Sequence, residues 1–455
     1  MNWNAGQRSG TRRSLSNGAG AYRSWKFWAL LGFLFSFRLA YGLTSDFWSP
    51  DELQIYLLGL KFYSTHQWPY FGPDVFPGMQ PIVQIPGALQ GLLVGTPFFL
   101  LPLPEAPYLL LNVLSFCGLA LLAWYCTKRL PSLSPWVIWT WTMTAPWVLE
   151  FSTRVVNPSY VLFGSTLFFV GMMEACRPLR RGALSLRVAT FLMGFSLTWI
   201  MQLHLSWVVL LPFVLIALVF PPTDEPSALV ASYCSFVLGA AAPAILILPT
   251  LSRYGFRDGI GGTESALEFN PGNLWSFFTI LSRYLSFASF QLYRFFSEGD
   301  AGWINLLRGS LWMGPVVLIP CLAGLLQPVL MVVCWFRKTH HEDDWKAIKY
   351  LTLFSFLIIY VSFLFTTKRP KAHTFYVCFP VIFVYSLYCW SMFTARRSWN
   401  TIVSIALAAG ILVQADHTFH GALERSLYKR RALASSAIEK RNYHLLGERR
   451  SGARY

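Results

Sequence analysis

Charged residues are scarce in this sequence of 455 residues, and their scarcity excludes a soluble protein. Asp, Glu, Lys and Arg make up 13% of the chain, about half of the roughly 25% that soluble domains carry. Hydrophobic residues account for 55%. Apolar runs of about 16–23 residues, the length that matches the hydrocarbon core of a bilayer, recur from Trp25 to Ala415. The sequence therefore predicts an all-α polytopic membrane protein.

Acidic residues are the scarcer of the two charge signs. The chain has 21 Asp and Glu against 37 Lys and Arg, which gives a net charge of +16. In a soluble protein such an excess would suggest nucleic-acid binding. Here the basic residues lie in the termini and loops, where the positive-inside rule and anionic lipid headgroups account for them. We therefore expect membrane lipids as partners and no nucleic acid.

Cysteine pairs with metal-binding or disulfide spacing are also missing. None of the eight cysteines forms a Cys-x-x-Cys pair, and all lie within or at the ends of apolar runs, so we expect small buried apolar side chains. The cluster from His340 to Asp344 resembles a metal site. It lies on a predicted cytoplasmic connection, where a solvated loop is the simpler interpretation. We expect no bound metal.

The apolar runs predict about 11 transmembrane helices. Residues 1–26 form a basic, cytoplasmic N-terminal segment, and the run Phe27 to Leu43 lacks a small-residue cleavage site, which predicts a retained first helix. The later runs lie at about 107–126, 135–150, 158–176, 188–203, 205–220, 228–249, 313–335, 348–366, 375–393 and 400–415.

One further segment, 82–103, is apolar enough to span but contains three prolines and three glycines. A single crossing here would place Lys128–Arg129 and the basic cluster from Arg177 to Arg187 outside, against the charge bias. Because proline and glycine also disfavour a straight helix, we predict an interfacial or re-entrant segment.

These assignments divide the chain into five parts. A transmembrane module over 27–250 contains the external loop 44–86 and the interfacial segment 82–103. An external loop (251–312), C-terminal transmembrane helices (313–415) and a tail (416–455) follow. The tail carries nine basic residues, yet the count of crossings places it outside. Either the tail is translocated or the last run does not cross.

The most informative segment is the first external loop, in which Asp51 and Glu52 follow Pro50 at the start of a helical pattern. Proline at a helix start and acids in the first turn suit the helix dipole, so a simple helix start is one interpretation. The other is that a carboxylate just outside the first membrane helix acts as a general base. Aromatic residues nearby, Trp68 and Tyr70 among them, suit either an interfacial belt or a sugar-stacking surface.

A first helix followed by Pro50-Asp51-Glu52, a short aromatic helix and a Gln67-Trp68-Pro69 turn resembles the GT-C superfamily. Within it, the chain is most similar to the protein O-mannosyltransferases and lipid A aminoarabinose transferases, glycosyltransferase family 39 and its relatives. The resemblance extends to Arg154-Val-Val-Asn157-Pro-Ser and to Met201-Gln-Leu-His204-Leu-Ser.

The resemblance covers roughly residues 30–250 and 366–385. It implies a GT-C-like bundle with interfacial helices in the first external loop. It also implies a polyprenyl-phosphate-linked sugar as donor, transfer on the non-cytoplasmic face, and Asp51 as the catalytic carboxylate.

Two more groups could contact substrate. Glu150, Arg154 and Asn157 lie at a predicted outer junction between helices. There Glu150 and Arg154 form either an i,i+4 ion pair that closes a helix end or a second acid with an arginine for sugar or phosphate. Gln202 and His204 lie at a turn between apolar runs, where they are either hydrogen-bonded at headgroup level or in contact with substrate.

The last group is basic and lies in a predicted external loop, where the positive-inside rule disfavours it. It comprises Lys368, Arg369, Lys371 and His373. A lipid phosphate would explain these residues, because arginine and lysine bind phosphate oxygens. Ordinary headgroup contact or an inverted topology would explain them equally.

The sequence thus predicts an integral-membrane glycosyltransferase of the bacterial inner membrane whose site faces outward. The candidate catalytic residues are Asp51, Glu52 and Glu150. The donor is a polyprenyl-phosphate sugar, the acceptor is a lipid, glycan or protein, and no cofactor is expected. A transporter or lipid flippase would require mid-helix charges and symmetric halves. A surface-polysaccharide polymerase or ligase would use a large late external loop, and a non-catalytic assembly protein would tolerate loss of Asp51.

Overall fold

The computed structural model describes ten parts of the chain, and in them the protein is a bundle of helices with one small sheet. These parts are residues 22–44, 50–75, 83–156, 158–259, 268–286, 313–337, 342–366, 370, 372–393 and 397–424.

The first half of the chain contains ten α-helices and both strands of the described residues. The helices are α1 (Trp25–Thr44), α2 (Pro50–Thr65), α3 (Leu89–Leu100), α4 (Ala106–Arg129), α5 (Pro135–Thr144), α6 (Pro146–Ser152), α7 (Val161–Ala175), α8 (Leu186–Met201), α9 (Leu211–Val219) and α10 (Pro226–Ala244). Strands β1 (Phe71–Asp74) and β2 (Gln84–Pro86) pair antiparallel, with Phe71 opposite Pro86 and Asp74 opposite Gln84.

The second half continues the bundle. Its helices are α11 (Leu248–Gly259), α12 (Phe277–Leu285), α13 (Gly314–Phe336), α14 (Glu342–Leu364), α15 (Phe379–Ser391) and α16 (Arg397–Glu424). Short 3-10 helices cover Arg177–Leu179, Leu205–Leu210, Ile245–Ile247, Pro271–Ser276 and Ala372–Cys378.

Among the residues that the structure describes, six helical stretches are long and apolar enough to cross a membrane, in agreement with an integral multi-pass protein. They are Trp25–Thr44, Ala106–Arg129, Pro226–Arg257, Gly314–Phe336, Asp344–Leu364 and Trp399–Asp416. Shorter apolar helices occupy Leu89–Leu100, Val161–Ala175, Leu186–Met201, Leu205–Val219 and Tyr376–Ser391. Ten of the 11 predicted runs therefore coincide with one of these helices, and the run 135–150 does not.

The run 135–150 is interrupted because Pro146 disfavours a helical conformation at the residue before it. Ala145 is extended (φ −54°, ψ 131°), so α5 ends before it and α6 begins at the proline. Proline fits the first turn of α6 because the amide hydrogen it lacks would have no helical partner there. The carbonyl of Thr144, at the end of α5, accepts a hydrogen bond from Gln414 Nε2 of α16 at 3.2 Å.

The described residues of the predicted first external loop and of the segment after it form α2, the two strands and α3. Gln54 of α2 accepts a hydrogen bond from the Asp74 amide at 3.2 Å, and α3 packs along α2. Helix α3 has 12 residues and extends about 18 Å at 1.5 Å per residue, well short of the roughly 30 Å hydrocarbon core. The interfacial placement of 82–103 stays a prediction.

A buried charge inside the bundle holds four helices together. Arg38 of α1 is completely buried. Its guanidinium donates to the Met143 carbonyl (3.0 Å), Ser115 Oγ (2.8 Å) and Ser152 Oγ (2.9 Å). These partners lie on α5, α4 and α6, so one arginine fixes the packing of α1 against all three.

Two sequence-based interpretations of charge are wrong. Arg129 is not a loop residue but the buried end of α4, and Asp344 is not in a solvated loop. Arg129 binds Asp344 Oδ1 at 2.5 Å, and Arg181 and Tyr388 bind Asp344 Oδ2. These residues with Tyr125 and Glu174 are called the Arg129 cluster.

The cysteines follow expectation only in part. All eight are free, and Cys126, Cys176, Cys334, Cys378 and Cys389 are buried. Cys117 and Cys234 are exposed on their helices and Cys321 is intermediate, so the prediction of burial is wrong for them. An apolar run does not distinguish the side of a membrane helix that packs on protein from the side that contacts lipid.

Candidate active site

Glu52 is the central acid of the candidate site. It lies in the first turn of α2, and only 2% of it is exposed. One carboxylate oxygen accepts a hydrogen bond from the Tyr108 hydroxyl at 3.4 Å, and the other accepts from Arg154 Nη2 at 3.4 Å. Tyr108 lies in the first turn of α4. The starts of two helices therefore meet at this carboxylate.

Arg154 connects Glu52 with a second acid. Its other terminal nitrogen, Nη1, donates to Glu150 one helical turn earlier, and the arginine side chain is 5% exposed. The ion pair between Glu150 and Arg154, one of the two interpretations of this spacing, is confirmed, and a contact of either residue with substrate stays a prediction. The structure adds Glu52, which is 102 residues away in sequence. Arg154, Glu52, Glu150 and Tyr108 are called the Arg154 cluster.

Burial and charge act in opposite directions on the two buried members of this cluster. Burial raises the pKa of Glu52 above its ordinary value of 4.5; Arg154 opposes this shift and the nearby Glu150 reinforces it. Burial alone would lower the pKa of Arg154, but the carboxylates of Glu150 and Glu52 outweigh it and raise that pKa. The guanidinium therefore stays charged, and Glu52 is a carboxyl group that accepts a proton more readily than an exposed glutamate.

A close backbone contact fixes where Arg154 lies. A Cβ atom added to Gly42, near the end of α1, would lie 2.2 Å from the carbonyl oxygen of Thr153. Only glycine allows α1 to approach the segment after α6 this closely. The first membrane helix thus packs directly against the residue before Arg154.

Several predicted site residues fall outside the described part of the structure. Asp51 lies in the first turn of α2 and His373 in the 3-10 helix Ala372–Cys378, but their side chains are not among those described. Asn157, Lys368, Arg369 and Lys371 are likewise not described. Their assigned roles stay predictions.

The late segment that carries His373 lies near the Arg154 cluster. The ring of Tyr376, three residues further on, packs against Phe151 with ring centroids 5.7 Å apart, and Phe151 follows Glu150 directly. Arg283 of α12 donates to the Pro370 carbonyl at 2.9 Å. The contact of Tyr376 with Phe151 therefore places the 3-10 helix Ala372–Cys378 next to α6.

Gln202 and His204 lie away from the Arg154 cluster, at the end of α8, where Gln202 packs against the turn at Gly87. Gln202 Nε2 donates to the Pro243 carbonyl at 2.7 Å. Its oxygen faces Gly87, which has a φ of +100°. A Cβ atom added to Gly87 would lie 2.6 Å from Gln202 Oε1, so the two segments are in close contact. His204 Nδ1 accepts the backbone amide of Ser206 at 3.1 Å, and burial lowers the pKa of His204 to about 4. The ring is therefore neutral near pH 7 and supplies no charge for a phosphate.

Sequence reasoning missed Tyr108, Gln84 and the arrangement around Asp74. Gln84 Nε2 donates to Asp74 Oδ1 at 3.1 Å across the two strands. The pairing of β1 with β2 brings these side chains together, and nothing in the hydropathy pattern indicates it. Within the ranges that the structure describes, no group of three His, Cys, Asp or Glu side chains is arranged to hold a metal ion.

Comparison with known proteins decides the fold. No protein-family model and no curated protein sequence matches this chain. The crystal structure of ArnT from Cupriavidus metallidurans in the apo state superposes with a TM-score of 0.53 at 9% identity, over 87% of this chain and 77% of ArnT. This chain has the GT-C fold. The crystal structure of the same ArnT bound to undecaprenyl phosphate superposes with a TM-score of 0.50 at 11% identity, over 92% of this chain and 80% of that one.

Proposed function

We propose that this protein is an integral-membrane glycosyltransferase that takes a sugar from a polyprenyl-phosphate donor. The observation that carries the proposal is the Arg154 cluster, in which two carboxylates share one buried arginine at the start of the helix after α1. It occurs in a GT-C fold, and a protein with that fold, ArnT, has been solved with undecaprenyl phosphate bound.

The transfer joins an acceptor atom to the anomeric carbon of the sugar. As that bond forms, the bond between the anomeric carbon and the phosphate oxygen breaks, and its electron pair leaves with the polyprenyl phosphate. We assign Asp51 as the base that takes the acceptor's proton. Glu52 is a positioning residue in this mechanism, because both of its oxygens already accept hydrogen bonds from Tyr108 and Arg154. Glu150 forms an ion pair with Arg154 and so keeps the guanidinium group charged.

The departing phosphate needs positive charge. We assign this role to Lys368, Arg369 and Lys371, together with His373. The contact of Tyr376 with Phe151, the residue after Glu150, supports a location of this segment close to the Arg154 cluster. Asn157, Gln202 and His204 are further contacts for substrate. In this proposal Lys368, Arg369 and Lys371 supply the positive charge, and no metal ion is needed.

The proposed orientation places this site on the outer face of a bacterial inner membrane. Basic residues of the predicted cytoplasmic connections support it through the positive-inside rule. The donor is anchored in lipid, so a site at the membrane surface gives it direct access. The acceptor is a lipid, a glycan or a protein at the same surface.

The decisive experiment is release of sugar from a panel of undecaprenyl-phosphate monosaccharides that carry a neutral hexose, an acetamido sugar or an amino pentose. We expect purified wild type to turn over one donor in the presence of an envelope extract, and Asp51→Asn to lose at least about 100-fold of that activity, the lower range for removal of a general base. Asp224→Asn, in an exposed ion pair with Arg177, is the matched control and should keep full activity. EDTA should leave turnover unchanged.

Two outcomes would contradict this proposal. Equal activity of Asp51→Asn and wild type would remove Asp51 from the mechanism and make Glu150 the next candidate base. If wild type released sugar from none of the donors but moved labelled undecaprenyl phosphate between leaflets of a vesicle, the protein would be a flippase instead.

A further inference from the structure

Four large apolar side chains are exposed on one short segment of the predicted external loop 251–312. In its described part, residues 268–286, Trp275 is 90% exposed, Phe278 78%, Phe269 60% and Leu274 47%. They lie on the 3-10 helix Pro271–Ser276, just before it and at the start of α12. We call these four side chains the Trp275 face. An exposed apolar patch of this kind marks a contact with another molecule or with a membrane.

The segment is attached to one end of α14. The Asn270 amide donates to the Leu364 carbonyl at 2.7 Å, and the Asn270 side chain donates to the Thr366 carbonyl at 3.2 Å. Asn273 Nδ2 donates to the Phe363 carbonyl at 2.8 Å. Carbonyls at a helix end have no partner within the helix. The two asparagines therefore hold the 3-10 helix against the end of α14.

Contacts further along α14 show how deep the segment lies. The Tyr360 hydroxyl donates to the Leu274 carbonyl at 3.0 Å, and the ring of Phe277 packs on Phe356 with centroids 5.1 Å apart. Tyr360 and Phe356 lie four and eight residues before the end of α14, which is about 6 and 12 Å at 1.5 Å per residue. That helix end is also the end of the membrane-spanning stretch Asp344–Leu364. The segment therefore lies beside the span and not above it.

This end of α14 is on the side of the Arg154 cluster. The start of α14 carries Asp344, which binds Arg129 at the last residue of α4. Tyr108 of the Arg154 cluster lies in the first turn of α4. Because α14 crosses the bundle from the Arg129 side, its other end and the Trp275 face lie on the opposite side.

The composition of the segment favours lipid over water. Residues 269–282 contain no charged side chain. Tryptophan is enriched where a membrane meets water, because its ring is apolar and its N–H is polar. A surface for a second protein has a polar rim around its apolar centre. Here the exposed residues around the Trp275 face are small and uncharged: Pro271, Gly272, Thr279 and Ser282.

We propose that the Trp275 face inserts into the membrane leaflet at this end of the bundle, with Trp275 where the headgroups meet the acyl chains. Residues 268–286 then form a membrane-interface anchor rather than part of a loop in water. Through Arg283, the anchor also holds the backbone at Pro370, which lies between the basic residues Arg369 and Lys371 in the sequence. This inference is independent of the reaction that the protein catalyses.

The test measures the depth of a fluorescent label on the full-length protein in phosphatidylcholine vesicles. Trp275→Cys is labelled with an environment-sensitive maleimide after the three cysteines that are not buried, Cys117, Cys234 and Cys321, are changed to alanine. The quenchers are lipids with a nitroxide at a shallow or a deep acyl position, and iodide in the water. We expect the shallow nitroxide to quench most strongly, which corresponds to a depth of about 5–10 Å, typical of an interfacial helix.

Two further labelled positions calibrate the measurement. Leu325→Cys, at the centre of α13 and 58% exposed, should be quenched most strongly by the deep nitroxide. Asp224→Cys, at an exposed ion pair with Arg177, should be quenched by iodide. Phe278→Cys, three residues after Trp275 on the same face, repeats the measurement should Trp275→Cys fail to fold.

Three outcomes would overturn the anchor. Quenching by iodide as strong as for Asp224→Cys would place the Trp275 face in water. Quenching like that of Leu325→Cys would place it in the middle of the bilayer instead of at the interface. Protection from iodide and from both nitroxides would mean that a protein chain, a second copy or another protein, covers the face.

Discussion

The Arg129 and Arg154 clusters neutralise a buried arginine in different ways. Tyr108 and Arg129 are 21 residues apart on α4, so the two clusters lie about 31 Å apart along one helix, at opposite ends of the bundle. In the Arg129 cluster two arginines, Arg129 and Arg181, bind Asp344. Glu174 accepts hydrogen bonds from the Tyr125 hydroxyl and from the backbone amides of Arg181 and Ala183, so every carboxylate oxygen of the cluster is paired. In the Arg154 cluster one arginine serves two acids, and its contact with Glu52 is 3.4 Å long.

The difference in charge balance indicates that the two clusters have different roles. The Arg129 cluster balances its charges and joins α4, α7, α14 and α15, which makes it an element of stability. The Arg154 cluster has more carboxylate than arginine, and burial raises the pKa of its central acid. A protein gains little stability from such an arrangement. What the arrangement fixes is the position of the Glu52 carboxyl group and of the start of α2, beside which we propose the reaction takes place.

The largest expected effect is on stability, from Arg129→Met. Removing this arginine breaks its bonds to Asp344, Tyr125 and the Leu179 carbonyl. We expect a loss of about 4–5 kcal/mol, the upper range for a broken buried ion pair, measured as detergent-solubilised melting and as yield of folded protein. Arg177→Met, which breaks an exposed pair with Asp224, should cost less than about 1 kcal/mol. Equal effects of both variants would refute a structural role for the Arg129 cluster.

Arg154→Met should cost less, about 3 kcal/mol, because Glu52 keeps the Tyr108 hydroxyl and can take up a proton. It should also abolish sugar transfer. The double variant Arg154→Met with Glu52→Gln removes the uncompensated buried charge and should regain stability without regaining activity. If the double variant is as unstable as Arg154→Met alone, the two side chains are not coupled as the structure indicates.

The smallest effect concerns pH. Glu52 has an ordinary pKa near 4.5 in the unfolded chain and a raised pKa in the folded protein. At pH values between the two, the carboxyl group is protonated in the folded state and ionised in the unfolded state. Its contribution to stability therefore falls as the pH rises through that window. Glu52→Gln should gain a few degrees in melting temperature over wild type as the pH is raised from 5 to 8. A constant difference for Glu52→Gln over this range would mean that Arg154 keeps Glu52 ionised throughout.

Hydropathy and helix-start signals predicted much of the fold. Membrane-length helices such as α1, α4 and α13 follow directly from apolar runs, and Pro50 marks the start of α2. The break at Ala145 was missed because Pro146 lies inside an uninterrupted apolar run. The burial of Arg38, Arg129 and Asp344 was missed because a sequence shows charges without showing their partners.

The same limit applies to the site. The contact between Glu150 and Arg154 was predictable because both lie one helical turn apart. Its extension to Glu52 and Tyr108 depends on where α1 and α4 pack, which one sequence does not reveal. The hydrogen bond between Gln84 and Asp74 depends on the pairing of β1 with β2, which the hydropathy pattern does not indicate.

The hydrogen bond from Gln414 to the Thr144 carbonyl joins the last described helix to the first half of the chain. The break between α5 and α6 leaves a backbone acceptor in the bundle, and the last helix supplies its donor. A fragment that ends after the first half would leave this acceptor facing lipid, where no water can satisfy it. A chimaera that contains the N-terminal half of this chain therefore needs α16 as well to keep this hydrogen bond.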